Sequence, residues 1–228
     1  MCYPKERNHL ITSPLLTITW YGQSCFKIET RGVTLAIDPF SKELGLTPPR
    51  FQADIVLVTH GHFDHSNIET IPGSPFVVTG PGEYETKGIA IRGISTFHDA
   101  SGGRERGMNT CYVIEAEDMT IAHLGDFGES AVREETLEEL GEIDILMIPV
   151  GGTYTIDGNE AAKVVNQIEP HLVIPMHYAI DGLKVKLAPV SQFLKAYGAT
   201  DAKAEAKLMV KKKDFAEGKT RIALLSTT

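Results

Sequence analysis

Three imidazoles and one carboxylate stand within six consecutive residues, His60-Gly61-His62-Phe63-Asp64-His65. Neutral imidazole nitrogen and carboxylate oxygen are the donors that zinc and other borderline divalent ions prefer. In extended chain His60 and His62, two residues apart, point to one side and can grip one ion, while Asp64 and His65 face a second position. Three more residues of the same chemical type, His98, Asp126 and His177, occur further along. Seven ligands exceed the need of one tetrahedral ion but suit two ions that share a carboxylate. Asp126 is the natural bridge, with His60, His62 and His98 forming one group and Asp64, His65 and His177 the other. Asp64 could also orient the attacking water or carry its proton.

These residues are plausible as a set because each follows a short apolar run that reads as a strand. Residues 54–59 are β-branched and apolar, as in a strand buried on both faces, and the His-rich stretch begins where they end. Residues 94–97 lead into His98, 119–123 run on to Asp126, and 172–176 end at His177. Side chains at the ends of buried strands are held by a rigid sheet yet stay open to solvent. Further strands are expected at 15–20, 24–29, 33–38, 76–79, 89–91, 110–115, 143–150, 207–211 and 221–225. Helices are expected at 67–71, 131–140, 160–168 after an Asn159 cap, and 189–197. Residues 80–85 read as a turn-rich loop beside the site, and the glycine-rich 100–109 as a mobile loop at its mouth. Meandering strands come first and strand–helix–strand units later, without a linker. This pattern predicts an α/β fold of two sheets packed face to face with helices outside, in a single domain over residues 1–228.

Several other residues are possible contributors. Arg104 and Arg106, on the glycine-rich loop, are candidate anion contacts. Tyr178, beside His177, and Tyr154 could each donate a hydrogen bond to a developing oxyanion. His123 lies three residues before Asp126, and in a strand that odd spacing turns it to the opposite face, so a core or supporting role is expected. His9 and His171 read as structural or solvated. Cys2, Cys25 and Cys111 form no C-x-x-C pair, which argues against a disulfide framework and for a reducing, cytoplasmic setting; Cys25 and Cys111 are expected in the core.

Composition bounds the partners. The 228-residue chain carries 42% hydrophobic and 23% charged residues with a net charge of −8 and a pI near 5.5. That acidity disfavours a broad nucleic-acid footprint, and no apolar run approaches a membrane span. A small-molecule substrate is expected, and assembly into a homo-oligomer stays open.

The ordered set His-x-His-x-Asp-His, His, Asp, His resembles the metallo-β-lactamase fold superfamily over essentially the whole chain. Within it, 80–85 (GPGEYE), 123–126 (HLGD), 149–152 (PVGG) and 174–178 (IPMHY) are similar to compact zinc-dependent hydrolases of the L-ascorbate-6-phosphate lactonase branch. The resemblance implies a four-layer αββα sandwich of two mixed β-sheets with a dinuclear zinc or manganese site at one edge. Two departures bear on function: the chain lacks the inserted domain of the RNA-processing ribonucleases, and it is shorter than the lactonase. The resulting expectation is a metal-dependent hydrolase with two divalent ions, Zn²⁺ first and Mn²⁺, Fe²⁺ or Ni²⁺ as substitutes, acting on a small anionic lactone or phosphoester. The alternatives are a nuclease or phosphodiesterase acting on nucleic acid, a non-catalytic metal-stabilised scaffold, and iron-based redox chemistry.

Overall fold

The computed structural model describes residues 15–216 and 218–228; Cys2 and His9 lie outside the described residues. The first sheet is built from β1 (Leu16–Gly22), β2 (Cys25–Glu29), β3 (Thr34–Ile37), β4 (Ile55–Leu57) and β5 (Phe76–Val78). The second takes β6 (Gly82–Thr86), β7 (Ile89–Phe97), β8 (Met108–Ala116), β9 (Met119–His123), β10 (Ile145–Pro149) and β11 (Leu172–Met176). Near the C-terminus come β12 (Ala204–Glu205), β13 (Leu208–Val210), β14 (Arg221–Ile222) and β15 (Leu224–Leu225). Among the described residues the sheet orders are β13-β1-β2-β3-β4-β5 and β14-β11-β10-β9-β8-β7-β6, with a small β12-β15 pair.

Both sheets are mixed, and their parallel parts aim at the site. In the first, β3, β4 and β5 run parallel. In the second, β9, β10 and β11 run parallel, and β7 joins that direction because it is antiparallel to β8, which is antiparallel to β9. The C-terminal ends of β7, β9 and β11 therefore lie along one edge. β10 and β11 are buried at every position, as expected of strands covered on both faces.

Alternation on the first sheet sorts its side chains between two cores. Phe26, Ile28, Leu35, Ile37, Ile55 and Leu57 point inward and join Tyr112, Ile121 and Ile148 of the second sheet in the main core. Ala36 and Val56 point outward beneath Ile68 and Ile71, and Cys25 beneath Phe40 and Leu44. Burying so much aliphatic and aromatic surface, at roughly 25 cal/mol per Å², is the main favourable term for the sandwich.

The helices α1 (Glu134–Leu140), α2 (Gly158–Ile168) and α3 (Ser191–Tyr197) belong to the second sheet. α1 packs on β7, and α2 on β10 and α3. The outer face of the first sheet is covered instead by two single 3-10 turns, Lys42–Leu44 and Ile68–Thr70, and by neighbouring loop, so that layer is thinner than a helical one.

Three sequence expectations change. Residues 80–85 are not a loop beside the site: β6 pairs with β7 as the edge strand of the second sheet, and Tyr84 folds back to donate to the Gly80 and Pro81 carbonyls. The strands expected at 89–91 and 94–97 are one continuous strand, β7. The cap of α2 is Asp157 rather than Asn159: its carboxylate accepts from the Asn159 and Glu160 N–H groups while Glu160 reaches back to the Asp157 N–H, a reciprocal capping box.

Candidate metal centre

All seven sequence-assigned ligands converge at that edge. One ligand atom from each of His60, His62 and His98 lies within 4.8 Å of the others, and the same holds for Asp64, His65, Asp126 and His177. Asp126 links the two groups. Its Oδ2 is 3.3 Å from His98 Nε2, 3.4 Å from His177 Nε2 and 3.9 Å from His60 Nε2, and its Oδ1 is 3.3 Å from His65 Nε2. His62 is exposed, Asp64 half-buried and the rest buried. Larger surface clefts, such as one of about 790 Å³ beside Phe76, bring no comparable His and Asp set together among the described residues.

The donors satisfy a direct test of fit. His60 Nε2, His65 Nε2, both ring nitrogens of His98 and of His177, and Asp126 Oδ1 are buried without a hydrogen-bond partner. Stranding so many polar atoms would cost roughly 1–3 kcal/mol each. The Nε2 atoms of His60, His65, His98 and His177 stand near the Asp126 carboxylate without hydrogen-bond geometry, and divalent ions fit as their missing partner.

The electrostatics favour neutral donors at His60 and His98 and ionised carboxylates, whereas at His65 burial is outweighed by Asp126 and Asp38, which raise its pKa, so that metal binding there would release a proton. Burial, reinforced by neighbouring His65, pushes His60 down to about 3, which keeps it a neutral donor. Burial also depresses His98. For Asp126 burial acts to raise the pKa, but the imidazoles of His177 and His65 outweigh it and hold the carboxyl well below the usual range. Asp64, opposed by burial in the same way, is brought down to about 2 by His65.

A supporting layer fixes these side chains, and most of it is invisible in the sequence. Asp38, fully buried, accepts from the Thr59 N–H at 2.8 Å, the Thr59 hydroxyl at 2.7 Å and His65 Nδ1 at 2.7 Å, which directs His65 Nε2 toward Asp126. Gln23, also buried, donates from Nε2 to Asp64 Oδ2 at 3.0 Å, and its backbone carbonyl accepts from the His177 N–H at 3.0 Å and Trp20 Nε1 at 3.0 Å. Asp38, Gln23 and His177 adopt left-handed backbone, with φ of +48°, +50° and +51°. Non-glycine residues hold that conformation at a cost, and such strain concentrates at functional sites. Asp38 ends a strand before proline and Gln23 sits in a tight turn, so each reads locally as ordinary punctuation. Asp38→Asn is expected to weaken metal binding by about 10–100-fold, as read by competition with a chelator; unchanged affinity would remove Asp38 from the support of His65.

His123 belongs to this layer and not to the ligands. Its Nε2 donates to the Ser24 carbonyl at 2.9 Å and its Nδ1 accepts from the Gly125 N–H at 3.1 Å, so both nitrogens are occupied. With the Thr110 N–H to Thr59 carbonyl and His177 N–H to Gln23 carbonyl bonds, it ties the two sheets together beneath the site. His171 lies elsewhere, stacked on Phe215.

Tyr178 leaves the catalytic set. It is buried against Trp20 with ring centroids 5.0 Å apart, and its hydroxyl faces the Leu225 carbonyl. Direct succession to His177 turned it into the core instead of the cavity. Tyr154 does reach the cavity, of about 380 Å³, together with His62, Phe63, Asp64, His98, Arg106, Asp126 and Val185. Arg104 is exposed and absent from that wall.

The loop after His98 is organised rather than loose. Asp99 accepts from four backbone N–H groups, those of Ser101, Gly103, Glu105 and Arg106, at 2.8–3.1 Å. The His98 N–H also bonds the Gly107 carbonyl.

The sequence profile of the β-lactamase superfamily domain matches residues 17–177. The chain belongs to this superfamily. Among its relatives, a UPF0173 metal-dependent hydrolase from Methanopyrus kandleri is 30% identical over 198 residues, covering 72% of this chain and 84% of the relative. Another from Pyrobaculum neutrophilum is 33% identical over 191 residues, covering 72% and 84%. A Thermotoga maritima structure, described as a proposed Zn-dependent hydrolase of the metallo-β-lactamase superfamily, aligns with a TM-score of 0.75 at 34% identity over 92% of this chain and all of that one. In these superfamily members the names specify metal dependence and hydrolysis without a substrate. No described helix is long and apolar enough to cross a membrane.

Proposed function

We propose that this superfamily member is a metal-dependent hydrolase that works with two divalent ions, zinc foremost, on a small anionic lactone or phosphoester. The observation that carries the reading is the pair of ligand groups around Asp126, in which His60 Nε2, His65 Nε2, His98 Nε2 and His177 Nε2 are buried with no hydrogen-bond partner. The names of the relatives support the metal dependence and the reaction type.

His60, His62 and His98 would hold one ion and Asp64, His65 and His177 the other, with Asp126 between them. Bound there, divalent ions would supply a water acidified toward neutrality and Lewis-acid polarisation of the scissile oxygen. The chain's own groups supply placement and proton handling. Asp64 stands in the cavity wall with Oδ2 fixed by Gln23, placed to orient the attacking water and take its proton. Tyr154 lines the same wall and, with Tyr178 buried in the core, is the tyrosine left as a candidate hydrogen-bond donor to substrate. A cavity of about 380 Å³ is of small-molecule size.

The test is a panel of lactone, phosphodiester and thioester probes with zinc- or manganese-reconstituted protein. Turnover of a lactone or phosphoester that stops with chelator and returns with metal is the expected result. Inertness toward the whole panel with both metals loaded would overturn the reading.

A further inference from the structure

Resting on the hydrolase reading above, we infer that Arg106, braced on Tyr154, is the anion-recognition element of this site. It would bind a carboxylate or phosphate on the substrate remote from the bond that is cleaved. The two groups come from loops far apart in sequence, and both line the cavity that holds His62, Asp64, His98 and Asp126. The Arg106 guanidinium lies 4.2 Å from the centre of the Tyr154 ring. Stacking on an aromatic face fixes the plane of a guanidinium and leaves its edge N–H groups facing outward.

Three further observations favour recognition over a merely solvated arginine. Among the described residues, no carboxylate lies within ion-pair distance of the Arg106 side chain; Arg50, Arg92 and Arg104 share that state, but Arg106 alone of these lines the cavity. Its backbone N–H is bound by Asp99 at 2.8 Å, and Asp99 directly follows the ligand His98, so the cation is hitched to the metal group. The rest of the wall away from the ligands is apolar, formed by Phe63, Tyr154 and Val185; an anion there would find no other fixed positive side chain. A planar guanidinium fork matches carboxylate or phosphate oxygens in pairs. The predicted substrate therefore has an anionic end for Arg106, an apolar stretch against Phe63 and Val185, and the scissile group at the metals.

Matched ligands separate this inference from the hydrolase reading. Butyrate and glutarate can each place one carboxylate at the metals, but only glutarate carries a second for Arg106. Calorimetric titration of metal-loaded protein is expected to show glutarate binding about tenfold tighter than butyrate, the scale of one charge-assisted contact. The ratio should fall to about 1 in Arg106→Met, recover in part in Arg106→Lys, and stay at the wild-type value in Arg104→Met. Replacing glutarate by 4-phosphonobutyrate shows which anion the fork prefers. A wild-type ratio near 1, or a ratio unmoved by Arg106→Met, overturns the inference whether or not the protein turns over any ester. Conversely, the 4-nitrophenyl monoester of glutarate, compared with 4-nitrophenyl butyrate, reports hydrolysis independently of the binding ratio.

Discussion

Asp126→Ala is expected to lower kcat/KM on any substrate the protein turns over by about a thousandfold or more, equivalent to roughly 4 kcal/mol of transition-state stabilisation. Asp126 alone among the seven has oxygens near ring nitrogens of both groups. Its removal takes a negative charge and a ligand from each group at once and leaves imidazoles facing one another. The fold should survive, because the backbone N–H of residue 126 is held by Asn109 Oδ1 at 3.0 Å, a bond that alanine keeps. Steady-state kinetics with circular dichroism as a folding check would decide it, and a folded variant with more than a tenth of wild-type activity would deny Asp126 the bridging role.

Gly128→Ala is expected to destabilise the protein by about 3 kcal/mol, lowering Tm by roughly 6–12 °C. A Cβ at residue 128 would sit 2.4 Å from the Asp99 backbone nitrogen and 2.4 Å from the His98 carbonyl carbon. Neither atom can swing aside as a side-chain tip can. The strain would fall on the segment that carries His98 and starts the Asp99-centred loop, so metal binding should weaken along with stability. Gly61→Ala is the instructive contrast. It lies between two candidate ligands, yet a Cβ there meets nothing within 4 Å, so its Tm should stay close to wild type. Equal Tm losses in the two variants would contradict the close-approach explanation.

The difference between these glycines shows what could be read from the chain and what could not. The convergence of the seven candidate ligands was legible because buried strands announce themselves as β-branched apolar runs, and each run led into a His or Asp. β4, β9 and β11 each deliver their residues as expected. Asp38 and Gln23 were missed because their importance depends on partners 27 and 41 residues away, and no local spacing encodes such a contact. Residues 80–85 carry Gly and Pro, so local propensity favoured a loop; pairing with β7 overrode it. The glycine-rich 100–109 stretch has no apolar periodicity, yet one preceding carboxylate organises it through four N–H bonds, an Asx-type motif that a hydrophobicity pattern does not reveal. Tyr178 failed for a geometric reason: adjacency to a ligand does not carry the next side chain to the same side of the chain.

The most direct test of the two-ion account is the metal-to-protein ratio of wild-type protein, measured by elemental analysis after zinc reconstitution and exhaustive dialysis. Two ions per chain are predicted, one for each ligand group that meets at Asp126. A ratio that saturates at one or below would contradict the dinuclear centre and leave the second set of unpartnered imidazoles needing a different explanation.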